Sequence, residues 1–274
     1  MPPREVLELR NRLDSLPLKG ERLRSFKDLR VMDRAFFPGG HGLYKGGNAE
    51  FPIGETLVLG SNFGCVSNFV DSCGNLRCND ETDKSPTWIN LIVWLRRARI
   101  PLQGCFFSNV FPVLHEEEIG KNGEEKKNNK LDEKLAGRWL RDKDLVKSFQ
   151  DFYRFTMAKL RPRLVIALGS THAARFLNGR GTWPGDQEER WEEPRQHRTD
   201  FPKVTGKSLS RSPILKISHE DLSPVPVCIA IPHPSDKRNL EIIDHYQGED
   251  GIVRLLNLAA LEAGIRMMQV GDES

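Results

Sequence analysis

The segment Thr56–Gly64 reads TLVLGSNFG: four apolar or β-branched residues, then a stretch that turns small and polar at once. Thr56–Gly60 carries no charge and is too short for a buried helix. A continuous apolar run of this length suits a strand covered on both faces, as in a parallel sheet. Three further runs have the same form: Gly104–Ser108 (GCFFS), Leu164–Gly169 (LVIALG) and Pro226–Ile231 (PVCIAI). Each is followed by polar or small residues.

Helical patterns lie between these runs. Residues 86–99 (PTWINLIVWLRRAR) begin with Pro86, a good first-turn residue, behind Ser85 as a candidate N-cap. Residues 142–160 are amphipathic, with Leu145, Phe149, Phe152, Phe155 and Met157 directed inward. A short helix is expected over 170–177, and a last one over 249–268 carrying Ile252, Leu255, Leu256, Leu258, Ala259 and Leu261. Near the N-terminus, Val6, Leu7, Leu9 and Leu13 fall near one face of a helix over 4–14. Alternating strands and helices predict an α/β fold with a mostly parallel sheet.

Residues 1–50 read as an N-terminal helical and loop extension, and residues 51–274 as one α/β domain. Two segments break the alternation. Residues 115–137 are charged and poor in apolar side chains, as in an exposed loop. Residues 178–224, rich in Pro, Gly, Arg and Glu, read as an insertion with one short strand candidate, Ile214–Ser218.

Composition narrows the class. Over 274 residues, 38% are hydrophobic and 29% charged, which is a globular balance and not a disordered one. No apolar run approaches the roughly 20 residues that span a bilayer, so no membrane is expected. The opening MPPREVLELRNRL is charged and lacks a signal-peptide core, so an intracellular site, cytoplasmic or nuclear, is expected. The net charge of +3 permits a nucleic-acid partner without requiring one. The cysteines Cys65, Cys73, Cys78, Cys105 and Cys228 are odd in number. They lack a C-x-x-C pair and read as buried free thiols before they read as a zinc or iron–sulfur site.

Open α/β sheets bind ligands at the carboxyl ends of their strands. The four ends carry Gly60-Ser61-Asn62-Phe63-Gly64, Ser108-Asn109-Val110, Gly169-Ser170-Thr171 and Pro232-His233-Pro234-Ser235. That rim has no dinucleotide fingerprint, no phosphate loop and no nucleophile elbow. His115-Glu116-Glu117-Glu118 is not a zinc-protease helix motif. What the rim offers is two Asn side chains and one His. An Asn amide donates and accepts at once, which suits reading the edge of a nucleobase.

With these residues in order, the chain resembles the uracil-DNA glycosylase superfamily as a divergent member. Gly60–Gly64 looks like the first motif of that family, and His233-Pro234-Ser235 looks like the second. Asn109 after Phe106-Phe107-Ser108 matches the base-reading Asn, and Ala167-Leu168-Gly169-Ser170 matches the third strand and its phosphate-contacting turn. The resemblance covers roughly residues 54–264. It implies a single three-layer α/β/α domain whose four-stranded parallel sheet has the order 2-1-3-4, with the first strand central. It also implies hydrolysis of the N-glycosidic bond of a flipped nucleotide, a DNA partner, a monomer, and neither cofactor nor metal.

The resemblance assigns roles residue by residue. Asn62 would orient the attacking water, and His233 would donate to charge developing on the departing base. Gly60 and Asn109 would bind the base, Asn109 by reading its edge, and Phe63 or Phe69 would stack on it. Ser61, Ser170 and Ser235 would hold phosphate or pocket backbone, and Lys237 and Arg238 would contact phosphate or wedge into the stack. Several family branches put Pro where this chain has Phe63, so uracil itself is not fixed as the substrate. Branches with an iron–sulfur cluster place cysteines before the first motif, and this chain has none there.

Taken singly, each residue has an ordinary reading. Asn62 and Asn109 are common turn residues, Phe69 is a common core residue, His233 beside Pro suits a turn, and Lys237 and Arg238 are commonly solvated. Their joint placement on one rim carries the argument. Two other classes stay open. One is a non-catalytic module on the same fold that binds DNA or a protein. The other is an unrelated hydrolase on a doubly wound sheet.

Overall fold

The computed structural model describes residues 4–16, 18, 23–24, 51–62, 86–115, 143–168, 226–234 and 247–269. In chain order the elements are helix α1 (Arg4–Asp14), strand β1 (Leu23–Arg24), strand β2 (Thr56–Asn62) and helix α2 (Pro86–Arg97). A 3-10 turn (Leu102–Gly104) leads into β3 (Cys105–Phe111), and β4 (Leu114–His115) follows. Then come α3 (Lys143–Leu160), β5 (Leu164–Leu168), β6 (Val227–Ile231) and α4 (Gly248–Glu262).

The four apolar runs become one parallel sheet in the order β3-β2-β5-β6. This is the order 2-1-3-4 that the resemblance implies, with the first run central. Every residue of β3 and β5 is buried, which is why β5 and the first half of β3 read as unbroken apolar runs. Along β2, Thr56 stands beside Cys105 on one side and Leu164 on the other.

The two faces of the sheet pack against different helices. Val58, Phe107, Ile166 and Ile229 share one cluster with Leu91, Trp94 and Leu95 of α2 and Ile252, Leu255 and Leu256 of α4. Trp88 of α2 meets Phe107 edge-on, with ring centroids 4.6 Å apart. The alternate residues Leu57, Phe106, Val165 and Cys228 are also fully buried. Helix α3 lies on that side, where burial pushes the Tyr153 hydroxyl well above its usual titration range. At the edge, Phe149 of α3 packs edge-on against Phe111 of β3 at 5.8 Å.

This layering follows from topology. The step from β2 to β3 goes one way along the sheet, and the step from β3 to β5 goes back over β2. Right-handed crossovers in opposite directions must put their helices on opposite faces. Helices α2 and α3 obey that rule. The crossovers leave β2 and β5 in opposite directions, and open α/β sheets take their ligands at the carboxyl ends of the strands at such a switch point.

Three of the boundaries that differ from expectation bear on the site and the caps. Strand β2 continues through Ser61 to Asn62, because Asn62 still pairs with Phe111. Strand β3 likewise runs on to Phe111, which places Asn109 inside the strand and not after it. Helix α4 stops at Glu262, short of the expected 268. Gly264 adopts φ +65, Ile265 N–H reaches back to Ala260 O and Gly264 N–H to Leu261 O. These two bonds form a Schellman cap, which satisfies the last free carbonyls and ends the helix.

The N-terminal segment is tied to the domain. Leu9 and Leu13 of α1 are buried, and α1 packs on α3. Glu8 pairs with Lys159 of α3 and with Arg4 of its own helix. Strand β1 pairs antiparallel with β4, setting Leu23 beside His115. The expected loop thus enters a strand at its first residue. The rest of that loop, the helix over 170–177 and the insertion over 178–224 lie outside the described residues.

Candidate functional site

The pairings define the upper rim of the sheet. Gly60 stands beside Asn109, Leu59 beside Ala167, and Leu168 beside Ile231. Asn109, Gly60, Leu168 and Ile231 therefore form the last shared row. Asn62 and His233 each stand two residues beyond that row, on strands separated only by β5. Strand spacing of about 4.8 Å puts the backbones of β2 and β6 about 10 Å apart.

Gly60 and Asn109 are in intimate contact. A Cβ built on Gly60 would lie 2.1 Å from Asn109 Oδ1, well inside van der Waals contact. The amide of Asn109 therefore occupies the space that any other residue at 60 would fill. Glycine is required there for close approach, not for backbone freedom.

Asn109 is 6% exposed, one of four buried polar side chains among the described residues, with Thr56, Ser108 and Thr156. Burying an amide costs free energy unless its hydrogen bonds are met. Two of the four, Ser108 and Asn109, are consecutive and lie in the carboxyl half of β3. A purely structural strand in a parallel sheet would carry apolar residues there.

His233 is half-buried and sits between the buried residues Pro232 and Pro234. Asn90, on the second turn of α2, donates from Nδ2 to Pro234 O at 2.8 Å. The contact joins residues 144 positions apart in sequence, so no local pattern announced it. Its one legible trace is a polar Asn between the apolar Ile89 and Leu91 of α2.

The structure thus brings together Gly60, Asn109 and the backbone of Asn62 on one rim, with His233 two strands away along the same edge. Ser61 lies in β2 beside Asn62. Phe63, Phe69, Ser170, Ser235, Lys237 and Arg238 lie outside the described residues, as do Cys65, Cys73 and Cys78. Cys105 and Cys228 are buried free thiols. Among the described residues no group of three or more metal-capable side chains converges. No described helix is long and apolar enough to cross a membrane.

Chemically, the rim offers a buried amide able to donate and accept, a half-buried imidazole and small residues that admit close approach. It suits a flat, neutral ligand with polar edges better than a phosphate or a metal. No protein-family model matches the chain, and no curated protein matches its sequence.

Proposed function

We propose that this chain is a monofunctional DNA glycosylase that flips out a damaged or modified base, a uracil-like or other pyrimidine, and hydrolyses its N-glycosidic bond. The observation that carries this reading is the packing of Asn109 on Gly60 at the carboxyl rim of the 2-1-3-4 sheet, with Asn62 and His233 two residues beyond that row. The resemblance of the four strand ends to the uracil-DNA glycosylase superfamily supports it.

Flipping a nucleotide costs a few kcal/mol, which stacking and base-edge hydrogen bonds must offset. Asn109, held against Gly60, reads the edge of the base, and Phe63 or Phe69 stacks on its face. The bond between C1′ and the base nitrogen breaks, and the base leaves with the electron pair. The water oxygen bonds to C1′, and one water proton ends on the base.

His233 opposes the developing charge by pointing an N–H at the base oxygen, for which a neutral imidazole suffices. Asn62 orients the water but has no basic group, so activation relies on position and on the oxocarbenium character of the sugar. Ser61, Ser170 and Ser235, with Lys237 and Arg238, hold the DNA backbone.

Incubating the protein with oligonucleotides that each carry one modified pyrimidine, then cleaving abasic sites with alkali, tests the proposal. Strand cleavage that Asn62→Ala and His233→Ala each reduce by about a hundredfold or more is expected, the scale of losing one transition-state donor. Wild-type excision by both variants refutes the residue roles. Salt-sensitive DNA binding with no base release moves the chain to the non-catalytic binding class.

A further inference from the structure

We infer that Asn90 is a positioning residue that seats His233. The catalytic consequence rests on the base-excision reading, whereas the seating itself does not. His233 lies between Pro232 and Pro234, and neither proline has a backbone N–H to give. Ile231 and His233 each precede a proline and are thereby confined to extended conformations. This stretch is consequently stiff and short of internal donors, and an outside donor at one carbonyl fixes the whole.

Asn90 supplies that donor, Nδ2 to Pro234 O at 2.8 Å. Its own helix is rooted in the core on both sides of it. Trp88 packs edge-on against Phe107, and Leu91, Trp94 and Leu95 are buried. The bond therefore ties the segment that carries His233 to the sheet layer that carries Asn109, through Phe107 two residues earlier on β3. A base held between Asn109 and His233 needs these two groups at a constant separation, and Asn90 is one link that sets it.

The test compares Asn90→Leu, which keeps the branched shape but cannot donate, with Asn90→Asp, which places a carboxylate against the Pro234 carbonyl. Asn90→Gln keeps a donor on a longer arm. Ile89→Ser, at the exposed neighbouring position on the same helix, is the control. Two quantities are read: the imidazole resonances of His233 in histidine-labelled protein, assigned with His233→Gln, and kcat and KM for base release.

Asn90→Leu and Asn90→Asp are expected to shift the His233 resonances and lower kcat about tenfold or more, with KM little changed, as for a misplaced group. Asn90→Gln recovers part of the loss, and Ile89→Ser behaves as wild type. Should either non-donating variant fold while both readouts stay at wild-type values, the role is overturned. If the wild-type protein releases no base from any oligonucleotide, the excision reading falls alone, and the His233 resonances still decide the seating.

Discussion

Gly60 and Asn109 show how one missing side chain can organise a site. Because nothing projects from position 60, the Asn109 amide lies against the backbone of the neighbouring strand. Gly60→Ala would drive a methyl group into that amide. The expected outcome is a destabilisation of about 1–3 kcal/mol, the range for overpacking a tight interior. Loss of base release should exceed what this instability explains, and chemical denaturation run beside an excision assay separates the two. Cys105 gives a second prediction at this scale. Burial, and secondarily the charge of Glu55, push its thiol far above the usual range. A thiolate is the reactive form, so Cys105 should resist alkylation in the folded protein at neutral pH and react once denatured, as intact-mass measurement would show.

At the scale of elements, the caps decide boundaries that hydrophobic periodicity leaves blurred. Helix α2 ends in the same two-bond cap as α4. Ile100 N–H reaches Leu95 O and Arg99 N–H reaches Arg96 O, but here the left-handed position, at φ 61, is held by Arg99. An L-residue there costs roughly 1–2 kcal/mol, partly offset on going to glycine by the greater freedom of the unfolded chain. Arg99→Gly should stabilise the protein by up to about 1 kcal/mol, raising Tm by about 2–4 °C. The docking of α1 should depend on pH. Hydrogen bonding from Lys159, then the neighbouring Arg4, holds the Glu8 carboxyl below its ordinary range despite some opposing desolvation. A group whose pKa is lowered on folding stabilises above its unfolded pKa, and that contribution fades as pH falls through the folded value. Hydrogen exchange of the α1 amides should therefore quicken, relative to the sheet, below about pH 4.

These same elements mark how far the sequence could be read. The strand cores were legible because burial on both faces writes itself as unbroken apolar runs. The strand ends were not, since Asn62 and Asn109 extend their strands through pairing with neighbours and not through any preference of their own. The end of α4 is written in Gly264-Ile265, a glycine at the left-handed cap position followed by an apolar residue, which apolar periodicity by itself runs through. Of the candidate site, the sequence shows the residue types on the strand ends. It does not show the two physical links. Both the Asn109–Gly60 contact and the Asn90–Pro234 bond join stretches distant in sequence, and only the folded sheet creates them.

Over the whole molecule, the sheet order sets the chemistry. The switch point between β2 and β5 lies beside Asn62, and β6, two strands on from β2, brings His233 to the same edge. The formal charge of +3 is too small for a broad electrostatic grip on DNA, so under the proposed function affinity would come from a few phosphate contacts and the flipped base. Such binding should weaken as salt rises, with a shallow slope that reflects few released counterions. The account is tested most directly by mass spectrometry of what the protein liberates from a panel of DNAs carrying different modified bases. It predicts one class of free pyrimidine, released over many turnovers by wild type and lost in His233→Ala. No free base from any DNA, or equal release by His233→Ala, would contradict it.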